Sequence, residues 1–324
     1  MRKFLKSALS ALVLLVLASI APDHGAWSQS GRTIRIVLGV PPGGSIDFLA
    51  RLLADQISST TGQTMIVESK PGAGGIIAAE AVARAAPDGN TLLINNNGTL
   101  ISAILRKVNY DPIASFEPIC YLVTTPQIIV VNSASPYRTL AELLDAARQR
   151  PGELSIASVG PNTTQHIGIE RLKRLAGVNL TYVPYPGGAT TINALLGEHI
   201  TAAVLNWSEI GEHIVAGKAR ALATMAPARI EPLPDLPTVA ESGYRDFETD
   251  VWFGVVAPAK TPKETVAQLI DWFRTAVTAP PVKAKLTAQA LYPHPKCGAD
   301  FDAHLRRQQE LYTQLIHDLD FKTE

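Results

Sequence analysis

The sequence predicts an α/β protein of two domains, the second inserted into the first. Short β-branched or apolar runs alternate with amphipathic stretches along most of the chain, the pattern of strand–helix units on a parallel sheet. Four strand-to-helix junctions are small, polar or Gly/Pro-rich turns: residues 39–47 (GVPPGGSID), 71–75 (PGAGG), 160–166 (GPNTTQH) and 184–188 (PYPGG). The 324 residues also exceed the usual size of a single domain.

The elements follow in order. Arg2, Lys3 and Lys6 precede an apolar run from Ala8 to Ile20, and small residues surround Ser28. The run is shorter than the ~20 residues of a spanning helix, so residues 1–28 are expected to be a cleaved export signal. The expected product is an exported, soluble protein, with no cysteine at the cleavage site to carry a lipid. Removing residues 1–28 takes away three basic side chains and Asp23, leaving a net charge of about −2. No basic tract is present, which argues against nucleic acid or anionic lipid as a partner.

Ile34–Leu38 reads as a strand, and Ile46, Leu49, Leu53 and Ile57 recur at helical spacing after it. Between them, Gly43 and Gly44 leave backbone N–H groups open to close approach at a helix N-terminus, a site suited to an anion. The device repeats: strand Thr64–Val67, turn 71–75, helix Ile76–Ala85. Two such turns are expected side by side at the carboxyl edge of one sheet. Thr91–Ile94 is a third strand, ending in the polar loop 95–99, where Asn97 is either a ligand contact or a solvated residue. Ile128–Val131 leads out of the first domain. Thr139 and Glu142 form a capping box, and strands Leu154–Val159, Leu180–Val183 and Ile200–Leu205 follow. Asn206 and Trp207 close the last of these, Trp207 being the better cleft candidate and Trp252 a core or hinge residue. Residues 229–244 read as a proline-rich surface stretch. Val251–Val256 returns to the first domain, Thr261 and Glu264 cap a helix, and an amphipathic helix follows Asp300. His294, His304 and His317 read as surface residues. The expected boundaries are 29–130 with 251–324 for the first domain and 131–250 for the second.

Other chemistry has little support. Cys120 and Cys297 lack metal or catalytic spacing. An oxidising compartment permits their pairing, but the reading leans towards two unpaired, partly buried thiols. Ile77 stands where a dinucleotide fingerprint needs its third Gly or Ala. A hydrolase built on Ser45, His166 and Asp47 is the rival class, yet no G-x-S-x-G elbow is present. No cofactor, metal site or catalytic residue is expected.

The segments VPPGGSIDFLAR, ESKPGAGG, AAPDGNTLL, NYDPIASFEPI, VPYPGGATTINALLGE, AGKARALA and WFGVVAPAKTP, in this order, resemble the Bug receptors, the substrate-binding proteins of tripartite tricarboxylate transporters. The resemblance implies a monomeric periplasmic-binding-protein clamshell (Venus flytrap, type II-like), each lobe a mixed sheet flanked by helices. It implies a small organic carboxylate bound between the lobes and delivered to integral membrane transporter subunits; sensing or ligand storage is the variant without transport. One carboxylate would sit on Gly43, Gly44, Ser45, Ala73 and Gly74 with bridging waters, and Asp47 would position water or polar ligand groups. Thr163, Thr164, His166, Tyr185, Gly187 and Asn206 would read the rest of the ligand. The chain departs from the pattern at Ser69-Lys70, at Asn90 and at Asn162, which replaces a glycine and puts the second half of the cleft in doubt.

Overall fold

The computed structural model describes residues 33–319 and 321, except 162, 246 and 248; the expected export signal lies outside the described residues. The first part of the chain runs β1 (Ile34–Leu38), α1 (Ser45–Thr61), β2 (Met65–Ser69), a 3₁₀ turn (Ala73–Gly75), α2 (Ile76–Ala83), β3 (Thr91–Asn96) and α3 (Asn97–Leu105). Then come β4 (Phe116–Asn132), α4 (Leu140–Gln149), β5 (Ser155–Val159), α5 (Thr164–Ala176), β6 (Thr181–Tyr185), α6 (Gly188–Leu196), β7 (Ala202–Asn206), α7 (Trp207–Val215) and β8 (Ala219–Thr224). The last part holds β9 (Asp250–Pro258), α8 (Lys263–Thr278), α9 (Pro280–Ala288), β10 (Tyr292–Cys297) and α10 (Ala299–Asp318).

The strands share one sheet in the order β2-β1-β3-β9-β4-β7-β5-β6, with β10 and β8 also paired to β4. β2, β1 and β3 are parallel, as are β7, β5 and β6, while β9 and β4 run antiparallel to their neighbours. The 17-residue β4 serves both groups. Residues 116–126 pair with β9, and 127–131 pair with β7. Thus β1, β2, β3, β5, β6 and β7 point their carboxyl ends at the region where β4 changes partner.

Side-chain alternation builds a core on each face. In β1, Ile34, Ile36 and Leu38 join Leu49, Leu53, Phe273 and Leu286 from α1, α8 and α9 on one face. Val37 points the other way, into a cluster with Leu93, Trp252, Phe301 and Leu305. β4 divides likewise, Ile129 and Val131 facing α4 and α5, Ile128 and Val130 facing α6 and α7. Each fully buried large side chain contributes about 1.5–3 kcal/mol, and the clusters are continuous enough to fix the register of every central strand.

Several expectations are corrected here. Residues 95–99 are not a loop: β3 extends to Asn96, whose side-chain oxygen accepts from Thr99 N at 3.1 Å and starts α3 at once. The Thr261 cap does not form, because its hydroxyl donates to the Pro258 carbonyl at 2.7 Å instead. The stretch 229–244 lies at the surface as expected, with Ile230, Leu236 and Val239 buried beneath it as anchors. His304 is half-buried against Tyr121 and Trp252, with ring centroids at 4.9 and 5.4 Å. Cys120 and Cys297 are bonded to each other, joining β4 to β10 across 177 residues of sequence.

A disulfide closing so long a loop stabilises chiefly by restricting the unfolded chain. The double substitution Cys120→Ser, Cys297→Ser is expected to cost about 2–5 kcal/mol, read as a lower urea midpoint; an unchanged midpoint would contradict this.

Candidate ligand-binding site

The site begins with a close approach of two backbones. A Cβ on Gly39, just after β1, would lie 2.6 Å from Gly75 Cα, so only glycine lets the first and second turns touch. Lys70 N also donates to Leu38 O at 2.8 Å, holding the ends of β1 and β2 level. The second turn is seated on α3: Ser102 Oγ donates to Gly74 O at 3.2 Å, and a Cβ on Gly74 would collide with that oxygen at 2.2 Å. By contrast, nothing lies within 4 Å of a Cβ on Gly43 or Gly44. Those two glycines face open space rather than a packed neighbour. Gly44 is the N-cap of α1 and supplies no side-chain cap. The first-turn N–H groups of α1 therefore remain for water or a ligand.

A cavity of about 520 Å³ lies against these turns. It is lined by Gly39, Val40 and Ile46, by Ala73–Gly75, by Ile94, Asn96, Gly98, Thr99, Ser102, Leu105 and Arg106 around α3, and by Pro161 and Thr163 before α5. The expected residues Ala73, Gly74 and Thr163 thus meet on one cavity, with Gly43, Gly44 and Ser45 next to it in the chain. Ser45 Oγ lies 2.7 Å from Ser208 Oγ in α7, a direct link between the first turn and the end of β7.

Other expected roles change. Asp47 is 6 % exposed and its carboxylate is fully engaged: one oxygen accepts from Gly43 N at 3.1 Å, and Arg51 binds both oxygens at 3.0–3.1 Å. The Arg51 hydrogen bonds hold its pKa below the usual range, burial opposes them, and the Gly43 N–H adds to them. Asp47 braces the turn through Gly43 and Arg51. Asn97 is fully buried, donating to Tyr312 Oη at 2.6 Å and accepting from Trp252 N at 2.9 Å. Because α3 starts at Asn97, its side chain turns inward, and its neighbour Asn96 lines the cavity. Trp207 is 8 % exposed, its ring packed over Gly211 one turn on, so it belongs to the core.

In the second group, Thr163 caps α5, accepting from His166 N at 3.3 Å and donating to Gly160 O at 3.2 Å. Thr164 is buried. His166 stacks on Tyr182 with centroids 3.8 Å apart, and its Nε2 is 3.9 Å from Glu170. Ser45 is thus engaged with Ser208 and His166 with Tyr182, and the two do not form a nucleophile–base pair. Tyr185 and Gly187 stand on β6–α6, away from the cavity lining; Gly187 O accepts the Thr190 and Thr191 hydroxyls. Asn206 N donates to Glu209 Oε2 at 3.0 Å, and burial raises the pKa of Glu209 against that bond.

Sequence reasoning missed Ser102, Arg106 and Ser208. Thr99, Ser102 and Arg106 fall at i, i+3 and i+7 in a segment otherwise filled by Leu100, Ile101, Ala103, Ile104 and Leu105. That polar stripe on one helical face was the available signal. Among the described residues no His/Cys/Asp/Glu group has the arrangement to hold a metal, and no helix is long and apolar enough to cross a membrane.

Glycine turns at the carboxyl ends of parallel strands open on a cavity where β4 changes partner, and a solved periplasmic binding protein shares this fold. The model of the tripartite tricarboxylate transporter family receptor matches residues 49–320. The chain belongs to that family. A UPF0065 protein encoded in the tcbD–tcbE intergenic region of a Pseudomonas species is 36% identical over 279 residues, covering 86% of this chain and 83% of its own. The periplasmic binding protein BugD superposes with a TM-score of 0.80 at 31% identity, covering 90% of this chain and 99% of that one. An R. palustris protein solved with adipate gives 0.82 at 30%, covering 91% and 98%.

Two predictions follow from this packing. Gly39→Ala must push the two turns apart and is expected to cost about 1–3 kcal/mol, measured as a reduced urea midpoint. Burial, with Lys173 nearby, pushes His166 down to about 4, and burial, with Lys296 and Arg307, does the same to His304. Both stay neutral in the native protein while the unfolded chain takes up protons below its ordinary value of 6.5. Stability is therefore expected to fall as pH drops from 6.5 towards 4, and His304→Phe should flatten part of that slope in urea titrations.

Proposed function

We propose that the protein is an extracytoplasmic solute receptor that binds a small organic carboxylate and delivers it to a tripartite tricarboxylate-type membrane transporter. The observation that carries this reading is the pairing of two glycine turns on one cavity beside the uncapped N-terminus of α1. Those N–H groups and the hydroxyls around them suit an oxyanion, and water can bridge where they do not reach. Gly43, Gly44, Ser45, Ala73 and Gly74 would hold one carboxylate, with Thr163 facing it. Tyr185, Gly187 and Asn206 would act from the rim. The adipate found in the R. palustris relative supports the same ligand class.

On this reading the protein works as two lobes, residues 29–130 with 251–324 and residues 131–250, closing about β4 and β9. It is exported to the periplasm after loss of residues 1–28, acts as a monomer and turns nothing over. The Ser45–Ser208 contact would be made on closure.

The test is a thermal-shift series on the mature protein with carboxylates, neutral sugars and simple cations. A ligand that binds only the folded state adds about 2.7 kcal/mol at a hundred times its dissociation constant. Upward shifts confined to carboxylates are expected; shifts only with sugars or cations would overturn the ligand class.

A further inference from the structure

We propose that the point where β4 changes partner is a hinge biased against the arrangement seen here: buried polar groups on Thr125, Gln127 and Tyr292 are satisfied only when the two groups of strands swing apart. The step rests on the two-lobe reading above. Thr125 and Gln127 flank Pro126, the last residue of β4 paired with β9. As i and i+2 of one strand they share a face, and both are fully buried. Among the described residues the Thr125 hydroxyl has no hydrogen-bond partner. The Gln127 side-chain nitrogen has none either, although the oxygen beside it accepts from Thr249 at 3.1 Å. Tyr292 in β10 stands opposite Thr124, and its buried hydroxyl is likewise unpartnered. Orphaned buried polar groups are few in folded proteins, and here three gather around one crossing.

A polar group buried without a partner forfeits the hydrogen bond it makes in water, and low local dielectric makes that loss expensive. Parting the two groups of strands admits water to these atoms, so the cost falls on the present arrangement alone. The packing permits such a movement. Tyr292 belongs to a strand paired with the first half of β4, yet its ring packs against the apolar cluster that holds Leu205, Ala226 and Ile230. A cavity of about 330 Å³ adjoins it, lined by Thr124, Pro126, Tyr292 and residues 226–231. The ring and the segment after β8 therefore have room to shift past each other. Two contacts oppose the bias and join the groups: Ser45 Oγ with Ser208 Oγ at 2.7 Å, and the Phe321 ring against His166 with centroids 4.9 Å apart. Without ligand the balance lies with the parted form, and a ligand held from both sides tips it back. Apparent affinity is then the intrinsic affinity reduced by the fraction of closed protein. Thr125, Gln127 and Tyr292 set that fraction although none of them lines the ligand cavity.

The experiment is made on the mature protein without ligand. Spin labels on Asp55→Cys in α1 and Asn193→Cys in α6, both exposed positions, report the separation of the two groups by pulsed electron resonance. The labelled parent is expected to show two distances, the shorter matching this structure and the longer predominating. Thr125→Val and Tyr292→Phe each delete one orphaned oxygen and keep the side chain's shape. Together they should raise the ratio of short to long populations about tenfold or more. Thr125→Val alone should move it the same way, so a double variant that folds poorly leaves the test decisive. A parent with the short distance alone would overturn the proposal, and the two-lobe reading with it. A ratio unchanged in the variants, or shifted towards the longer distance, would overturn the proposal and leave that reading standing; water held in place would then be satisfying these groups. A flat response to carboxylates in the thermal-shift series touches neither outcome, since no ligand enters the measurement.

Discussion

The two groups of parallel strands are positioned by β4, one strand whose pairing passes from β9 to β7. Its pairing with β9 ends at Pro126, and its pairing with β7 begins at Gln127. Proline cannot donate to a ladder, so it is tolerated where pairing is being exchanged or shifted; Pro118 similarly sits beside a register shift. Beyond Pro126 the strand is anchored at once: Gln127 is fully buried, its side-chain oxygen accepts from Thr249 at 3.1 Å, and its carbonyl accepts from Met225 N at 2.8 Å. The two groups of parallel strands meet through this single strand and its antiparallel neighbour, and the cavity lies at the carboxyl ends that face the exchange.

The chemistry gathered there is mostly neutral. Asp47 and Arg51 neutralise each other within one helical turn, and Glu209 is buried on the backbone of Asn206. The turns beside α1 thus present backbone dipoles with no unpaired acid next to them.

Much of this was legible in the sequence because it is local. The glycine turns announce themselves through residues that tolerate close backbone approach, and β1, β3, β5 and β7 through apolar runs of strand length. Of the Thr139–Glu142 capping box one half is present, the Thr139 hydroxyl accepting from Glu142 N at 3.2 Å, while the Glu142 carboxylate accepts from Arg138 N rather than Thr139 N. What stayed hidden depends on distant partners. The first half of β4 contains Pro118, interrupting any strand signal. β8 and β10 take their identity from pairing with β4. Asn97 looked like a loop amide because its partners, Tyr312 and the Trp252 backbone, lie more than a hundred residues away. The two cysteines are legible as a pair only once β10 is laid beside β4.

That last pairing has a consequence for how the chain behaves when part of it opens. The covalent link between β4 and β10 encloses the second group of strands and its helices within one closed loop of sequence. Should the elements inside that loop open, its two ends stay tethered at β4 and β10, and the search for the native arrangement begins from a ring and not from a free coil. The cross-link therefore acts less as a brace for the native cavity than as a bookmark, keeping the place to which the opened half must return.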